Sequence, residues 1–211
     1  HIIGGSEQSG VYKGTYILHK ALIKHKIKSK ILRDCSYSEN IKKDKDVICI
    51  NENIFKKSLS KLFIFIEKLL KFLFLKSPRS SFTFGFLGTD ITKSKYYKNA
   101  DILHIHWFSQ GFIQLRSLSR VNKPVVWTMR DMWPFTGGSH YSMDFQNYEK
   151  GGLSKIIQRF KKKIYNNKIE FVAISDWLKK QAENSFILNN YKIRRIYNNI
   201  NTQDFNFKSK E

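Results

Sequence analysis

The chain has only two cysteines, Cys35 and Cys49. Two are too few for a disulfide scaffold and too few to close a structural zinc site, so cysteine usage points to the cytosol. Acidic residues are scarce: 17 Asp and Glu stand against 38 Lys and Arg, a formal net charge of +21. The start lacks an initiator methionine, a basic leader and a signal-type cleavage site; His1-Ile2-Ile3 runs directly into Gly4-Gly5. Both ends read as cut, the far one within the polar tail 208–211. Internal repeats and low-complexity linkers are missing. No G-x-G-x-x-G follows the first apolar stub, which sets aside a nicotinamide- or flavin-type oxidoreductase.

What is present is globular. Hydrophobic residues make up 41% and aromatics 15%, too much for a disordered tail. One domain fits the length, and a chain of this size buries about 70% of its unfolded surface. Lys, Asn, Ile, Phe and Tyr are abundant together, as an AT-rich gene would give. That bias and an anionic partner (nucleic acid, lipid surface or substrate) both account for the charge. Nucleic acid is the weaker version, because the basic residues form no recognised motif and no stacking platform.

Short apolar runs alternate with amphipathic ones. Strands are expected at 1–3, 30–33, 47–50, 101–107, 124–128, 171–174 and 193–197, and helices at 11–24, 112–120 and 153–165, with another capped by Ser175. This alternation predicts an α/β, Rossmann-like, doubly wound parallel sheet with flanking helices. Ligands in such sheets sit beyond the carboxyl ends of the strands. Segment 55–75 is long and apolar, but Lys56, Lys57, Lys61, Glu67, Lys68 and Lys71 interrupt it, and central charges disfavour a membrane span. Lys57, Lys61, Lys68 and Lys71 fall on one side of a helical wheel, with Phe63, Ile66, Leu70 and Leu73 opposite. A surface helix packed on the sheet is the expectation. A basic helix lying on anionic lipid needs the same pattern, and sequence does not separate the two.

Three places carry chemistry. Gly4-Gly5-Ser6 follows a strand and precedes a helix, where backbone N–H groups can approach an anion, although an ordinary tight turn reads the same. His104 and His106 share one face of a strand; a metal would need a third ligand, so a structural role or the lining of a polar cleft by His106 and Trp107 is expected instead. The stretch 127–141 (WTMRDMWPFTGGSHY) sets Arg130 and Asp131 among Trp127, Trp133, Phe135 and Tyr141, with His140 a neutral-pH acid or base. Aromatic faces with fixed polar groups suit a sugar cleft. A loop folded by its own aromatics, with Arg130–Asp131 a structural pair, suits the same residues.

In order and context, GGSEQSGVYKGTYILHKAL, ADILHIHWFSQGF, KPVVWTMRDMWPFTGGSHYSMD, FVAISDWLKKQA and IYNNINTQDF resemble the N-terminal domain of GT-B glycosyltransferases of the retaining family four, colanic-acid and capsule type. The resemblance covers most of the chain and weakens between about 36 and 98. It implies a Rossmann-like acceptor-side domain over 1–197, with 198–211 starting a hinge to a C-terminal nucleotide-sugar domain beyond this chain. It implies a hexosyltransferase using a nucleotide-sugar donor and a glycan or lipid-linked glycan acceptor in cell-surface polysaccharide synthesis. No cofactor or metal is expected, and the fragment alone should be inactive. Such an enzyme is cytoplasmic, with peripheral attachment to the inner face of the cell membrane compatible with a lipid-linked acceptor. Arg130, Asp131 and His140 take the catalytic positions, in electrostatic and positioning roles; Gly4, Gly5, His106, Trp107, Trp133, Tyr141 and Ser175 line the substrates.

The chain departs from the pattern. Relatives often read GGCHY and carry further cysteines; here Ser139 replaces the first, Phe145 stands where another is expected, and the later ones are missing around Gly151-Gly152. That implies a looser loop. Arg130 stands where many relatives have histidine and, being always protonated, cannot act as a base. The competing class is an inactive basic module that kept the fold and binds membrane or polyanion.

Overall fold

The computed structural model describes residues 1–35, 44–51, 53–75, 81–107, 111–141 and 151–200. Its centre is a parallel sheet of seven strands: β1 (Ile2–Ile3), β2 (Ile31–Arg33), β3 (Val47–Cys49), β4 (Leu103–Trp107), β5 (Val125–Met129), β6 (Ile169–Ala173) and β7 (Arg194–Arg195). The order is β3-β2-β1-β4-β5-β6-β7. The chain therefore runs one way from β1 to β3 and the other way from β4, reversing between β1 and β4. Register puts Ile3 beside Arg33 and Trp107, Arg33 beside Cys49, and Met129 beside Ala173, so the carboxyl ends form one edge. The expected α/β doubly wound architecture is the one observed.

Helices α1 (Gly10–Lys24), α2 (Ile54–Phe74), α3 (Lys95–Lys98), α4 (Gly152–Ile164) and α5 (Asp176–Glu183) connect the strands. Local chemistry starts them. Ser9 accepts from Tyr12 N at 3.2 Å, Asn53 from Lys56 N at 2.9 Å and Ser175 from Leu178 N at 3.1 Å, each satisfying a free first-turn donor. The helix expected over 112–120 is only a 3-10 turn, Leu115–Arg120. Its first residues are instead extended beside Thr89, whose N–H donates to Phe112 O at 2.8 Å while Gln114 N donates to Thr89 O at 3.2 Å.

The main core joins β1, β2, β4, β5 and β6 to the 3-10 turn, α4 and α5. Trp127 stacks on Phe171 at 5.7 Å and meets Tyr165 edge-on at 5.6 Å. Trp127, Trp133 and Phe135 are all buried, so only Tyr141 of the four aromatics in that stretch presents its ring to solvent. The open sugar-cleft reading of those rings is corrected accordingly: a parallel sheet covered on both faces consumes large rings as core.

α2 also differs from expectation. It meets the fold through Ser60, Ile64 and Glu67, while Phe63, Ile66 and Leu70 are half-buried and Leu73 is exposed. Leu70 packs on the cluster of Leu75, Phe82, Phe84 and Ile157, so the expected face is used in part, while a second apolar face of the helix stays exposed. Cys35 and Cys49, at neighbouring strand ends, are joined in a disulfide with Cα atoms 5.5 Å apart. That bond weighs against the cysteine argument for the cytosol, because such links persist in oxidising surroundings. Among the described residues, no helix is long and apolar enough to cross a membrane.

Candidate active site at the carboxyl edge

The strand order reverses between β1 and β4, and in doubly wound sheets the carboxyl edge at such a reversal is where ligands sit. The loop after β1 forms one side of it. Gly4 N donates to Trp107 O at 2.6 Å. Gly5 has φ +84°, and a Cβ there would lie 3.0 Å from the Trp107 ring, so glycine is required twice over, by backbone and by contact. Gly4 and Gly5 thus sit directly against Trp107, as the sequence grouped them.

Asp131 organises the other side. Its Oδ2 accepts from Trp107 Nε1 at 2.9 Å and from His140 Nδ1 at 2.7 Å, and its Oδ1 accepts from Trp133 N at 3.0 Å. With Nδ1 donating, His140 Nε2 stands 2.9 Å from the Thr83 hydroxyl. Thr83–His140–Asp131 has the connectivity of a nucleophilic triad, but Thr83 and His140 are both buried. The row is a brace inside the wall, and His140 has neither ring nitrogen turned to solvent.

Arg130 lies across from it, half-buried. One terminal nitrogen donates to Asn198 Oδ1, and Nη2 stands 3.3 Å from His106 Nδ1. Its Nε is buried without a partner among the described residues. Burial lowers its pKa, yet a guanidinium stays charged. The same group borders α1, since a Cβ on Gly14 would come within 3.3 Å of Arg130 Nη1.

Behind Arg130 lies a histidine stack. His104 and His106 stack at 4.1 Å, and His1 Nδ1 is 3.0 Å from His106 Nε2. The guanidinium only donates, so His106 Nδ1 accepts and Nε2 carries the proton towards His1. His104 Nε2 is 2.8 Å from the Thr128 hydroxyl. Burial lowers the pKa of His104 to about 4 and that of His106 well below its usual value, with nearby positive charge adding to both. His1, His104 and His106 each offer a ring nitrogen within 4.8 Å of the others, as His19, Asp44 and Asp46 offer ligand atoms elsewhere. His1 is the third imidazole that the sequence reading did not find. Asp131 and His140 are bound to each other rather than turned towards this stack.

The remaining expected residues are spread out. Tyr141 is exposed beside the wall, while Trp133 is buried, donating from Nε1 to Thr83 O at 2.8 Å, and so presents no face to a sugar. Ser175 follows β6 at the same edge, but its hydroxyl is engaged in capping α5. Ser139 is fully buried, and its neighbourhood is tied down rather than loose. Buried Lys161 donates to Trp133 O and to Thr136 O, and Thr83 N donates to Gly138 O at 3.0 Å. Phe145 and most of the hinge segment lie outside the described residues. Sequence reasoning missed Thr83 and Glu67. The buried Glu67 carboxylate accepts from Phe84 N and Gly85 N, both at 3.1 Å, and so fixes the segment that carries Thr83. Desolvation raises its pKa. The signal was available: Glu67 is the one acidic residue in the sequence of α2.

The sequence profile described as Glycosyltransferase Family 4 matches residues 10–204. This chain belongs to glycosyltransferase family 4. No curated relative and no solved structure gives a match. As a family 4 glycosyltransferase domain, the protein is a sugar-transferring enzyme by class and works on a donor and an acceptor. Its Rossmann-like sheet has the strand-order reversal at which that fold takes ligands.

Proposed function

We propose that this chain is the acceptor-side half of a two-domain, retaining hexosyltransferase that uses a nucleotide-sugar donor and a glycan or lipid-linked glycan acceptor in cell-surface polysaccharide assembly. Residues 1–197 form the domain, and 198–211 begin the hinge. The observation that carries the reading is the strand-order reversal between β1 and β4, at whose carboxyl edge the Gly4–Gly5 loop, Trp107, Arg130 and Asp131 come together. In this reading the half-buried, charged Arg130 guanidinium offsets anionic charge on the donor. Asp131, held by three hydrogen bonds, presents a fixed negative edge and orients Trp107. His140 acts as a positioning residue through Asp131. The chemistry needs no metal.

The gene sequence beyond Glu211 gives the first test. A second α/β domain there supports the reading, and a stop codon overturns it. The full-length enzyme is then offered a panel of UDP-, GDP- and dTDP-sugars with membrane extract as acceptor. Release of the nucleoside diphosphate is expected from one donor, with Arg130→Ala lowering the rate by about two orders of magnitude. An unchanged rate in that variant removes Arg130 from the mechanism.

A further inference from the structure

α2 packs inward through a narrow mixed face and leaves a second, apolar face outward. Leu70 packs on the cluster of Leu75, Phe82, Phe84 and Ile157, and polar anchors lie beside it. Ser60 Oγ donates to Asp34 Oδ2 at 3.0 Å, Glu67 accepts two backbone N–H groups, and Ile64 is the one large apolar side chain fully buried. Its outward face is apolar over the whole length: Ile54, Phe55, Leu59, Leu62, Phe65, Leu69, Phe72 and Leu73 are exposed, Phe65 at 62% and Phe72 at 75%. From Phe55 onward these recur every three or four residues, a continuous stripe roughly 30 Å long. Lys61 and Lys68, both exposed, run along one edge of it with half-buried Lys57. The single acidic side chain of the helix is turned inward, so no negative charge faces out.

We propose that the outward face of α2 lies in the surface of an anionic lipid bilayer. Apolar side chains enter the acyl boundary while lysines reach the headgroups, the arrangement of an interfacial helix. Charge complementarity favours this occupant over a second copy of the chain, since a partner at +21 would bring the same lysines against each other. The lysines disfavour insertion across the bilayer, consistent with a helix that lies flat. The inference does not rest on the sugar-transfer reading, and its test uses no donor or acceptor.

The test is flotation of the 211-residue chain with phosphatidylcholine vesicles, with and without phosphatidylglycerol. Binding to the anionic vesicles is expected at low salt, weakening as salt screens the lysines. The triple variant Phe65→Ser, Leu69→Ser, Phe72→Ser should lose at least about tenfold in binding. Its thermal midpoint should be unchanged, because the three side chains face solvent. Lys61→Glu with Lys68→Glu should abolish the preference for anionic lipid. Equal binding to neutral and anionic vesicles at low salt overturns the proposal, as does full binding by the triple variant. A wild type that ignores vesicles but elutes as a dimer, made monomeric by the triple variant, assigns the face to a second copy and also overturns it.

Discussion

Asp131→Asn is the substitution that most directly tests how the wall at the carboxyl edge is held. The carboxylate accepts three hydrogen bonds, from Trp107 Nε1, His140 Nδ1 and Trp133 N. Asparagine keeps one oxygen, which can still accept from Trp133 N. Its amide nitrogen then faces two groups that were donating. His140 can adapt by moving its proton to Nε2 and donating to the Thr83 hydroxyl. The indole cannot, because Trp Nε1 only donates. One hydrogen bond is lost outright, a donor is set against a donor, and the other bonds lose their charge. At about 1.5–3 kcal/mol for a hydrogen bond to a charged group, the cost comes to about 2–4 kcal/mol. Urea unfolding followed by far-UV circular dichroism reads it as a lower midpoint at unchanged slope. Trp107→Phe supplies the control, since removing the indole N–H removes the conflict. In that background Asp131→Asn should cost about 1 kcal/mol, a coupling of about 1–3 kcal/mol. A cost below about 0.5 kcal/mol, or one that Trp107→Phe leaves unchanged, refutes the reasoning.

Two further outcomes follow from groups away from Asp131. His104 and His106 stay neutral in the fold with lowered pKa values, whereas the unfolded chain protonates them near 6.5. Their contribution is therefore complete above that value and is lost as pH falls from about 6.5 towards 4, with a slope approaching roughly 2.7 kcal/mol per pH unit for two protons. Urea midpoints at pH 7.5, 6 and 5 check this, and a flat profile counts against a buried neutral stack facing Arg130. The disulfide closes a loop between residues 14 apart, for which chain entropy gives about 3 kcal/mol. Cys35→Ser with Cys49→Ser should lower the oxidised protein's stability by about that amount, and wild type should match it in dithiothreitol; identical unfolding with and without reductant contradicts the cross-link.

The strands were legible because buried β-branched and aromatic runs between polar connections have few alternatives. DILHIHW and PVVWT became β4 and β5 within two residues of expectation. The cluster of Gly4, Gly5, Trp107, Arg130 and Asp131 was legible for a topological reason: each ends or follows a strand, and parallel strands bring their ends to one edge. Exposure was not legible. Trp133 and His140 have the residue types of a sugar cleft, yet they are used as core, because only the course of residues 81–85 decides which side of the loop is covered. That course depends on Glu67, some 17 residues earlier in the chain. The facing of α2 was hidden for a related reason. A helical wheel ranks faces by hydrophobicity, and here three polar bonds at Ser60 and Glu67 pin a narrower face beside Ile64 and leave a second apolar face outward. The third ring of the histidine stack comes from His1, whose partner lies 105 residues away.

The anchoring of α2 by Ser60 and Glu67 bears on how its sequence can change. Substitutions along its outward stripe leave the anchors in place, so composition there can drift without cost to folding. A single inserted or deleted residue between Asn53 and Glu67 cannot be absorbed in the same way. It turns everything beyond it by about 100°, swings the carboxylate away from Phe84 N and Gly85 N, and leaves those two donors dry. An insertion of seven residues would restore the phase to within about 20°, yet it would carry the carboxylate about 10 Å along the axis, so the length of this stretch is fixed by its anchors. The helix is thus held in phase by its anchors, and folding places no demand on the composition of its outward face.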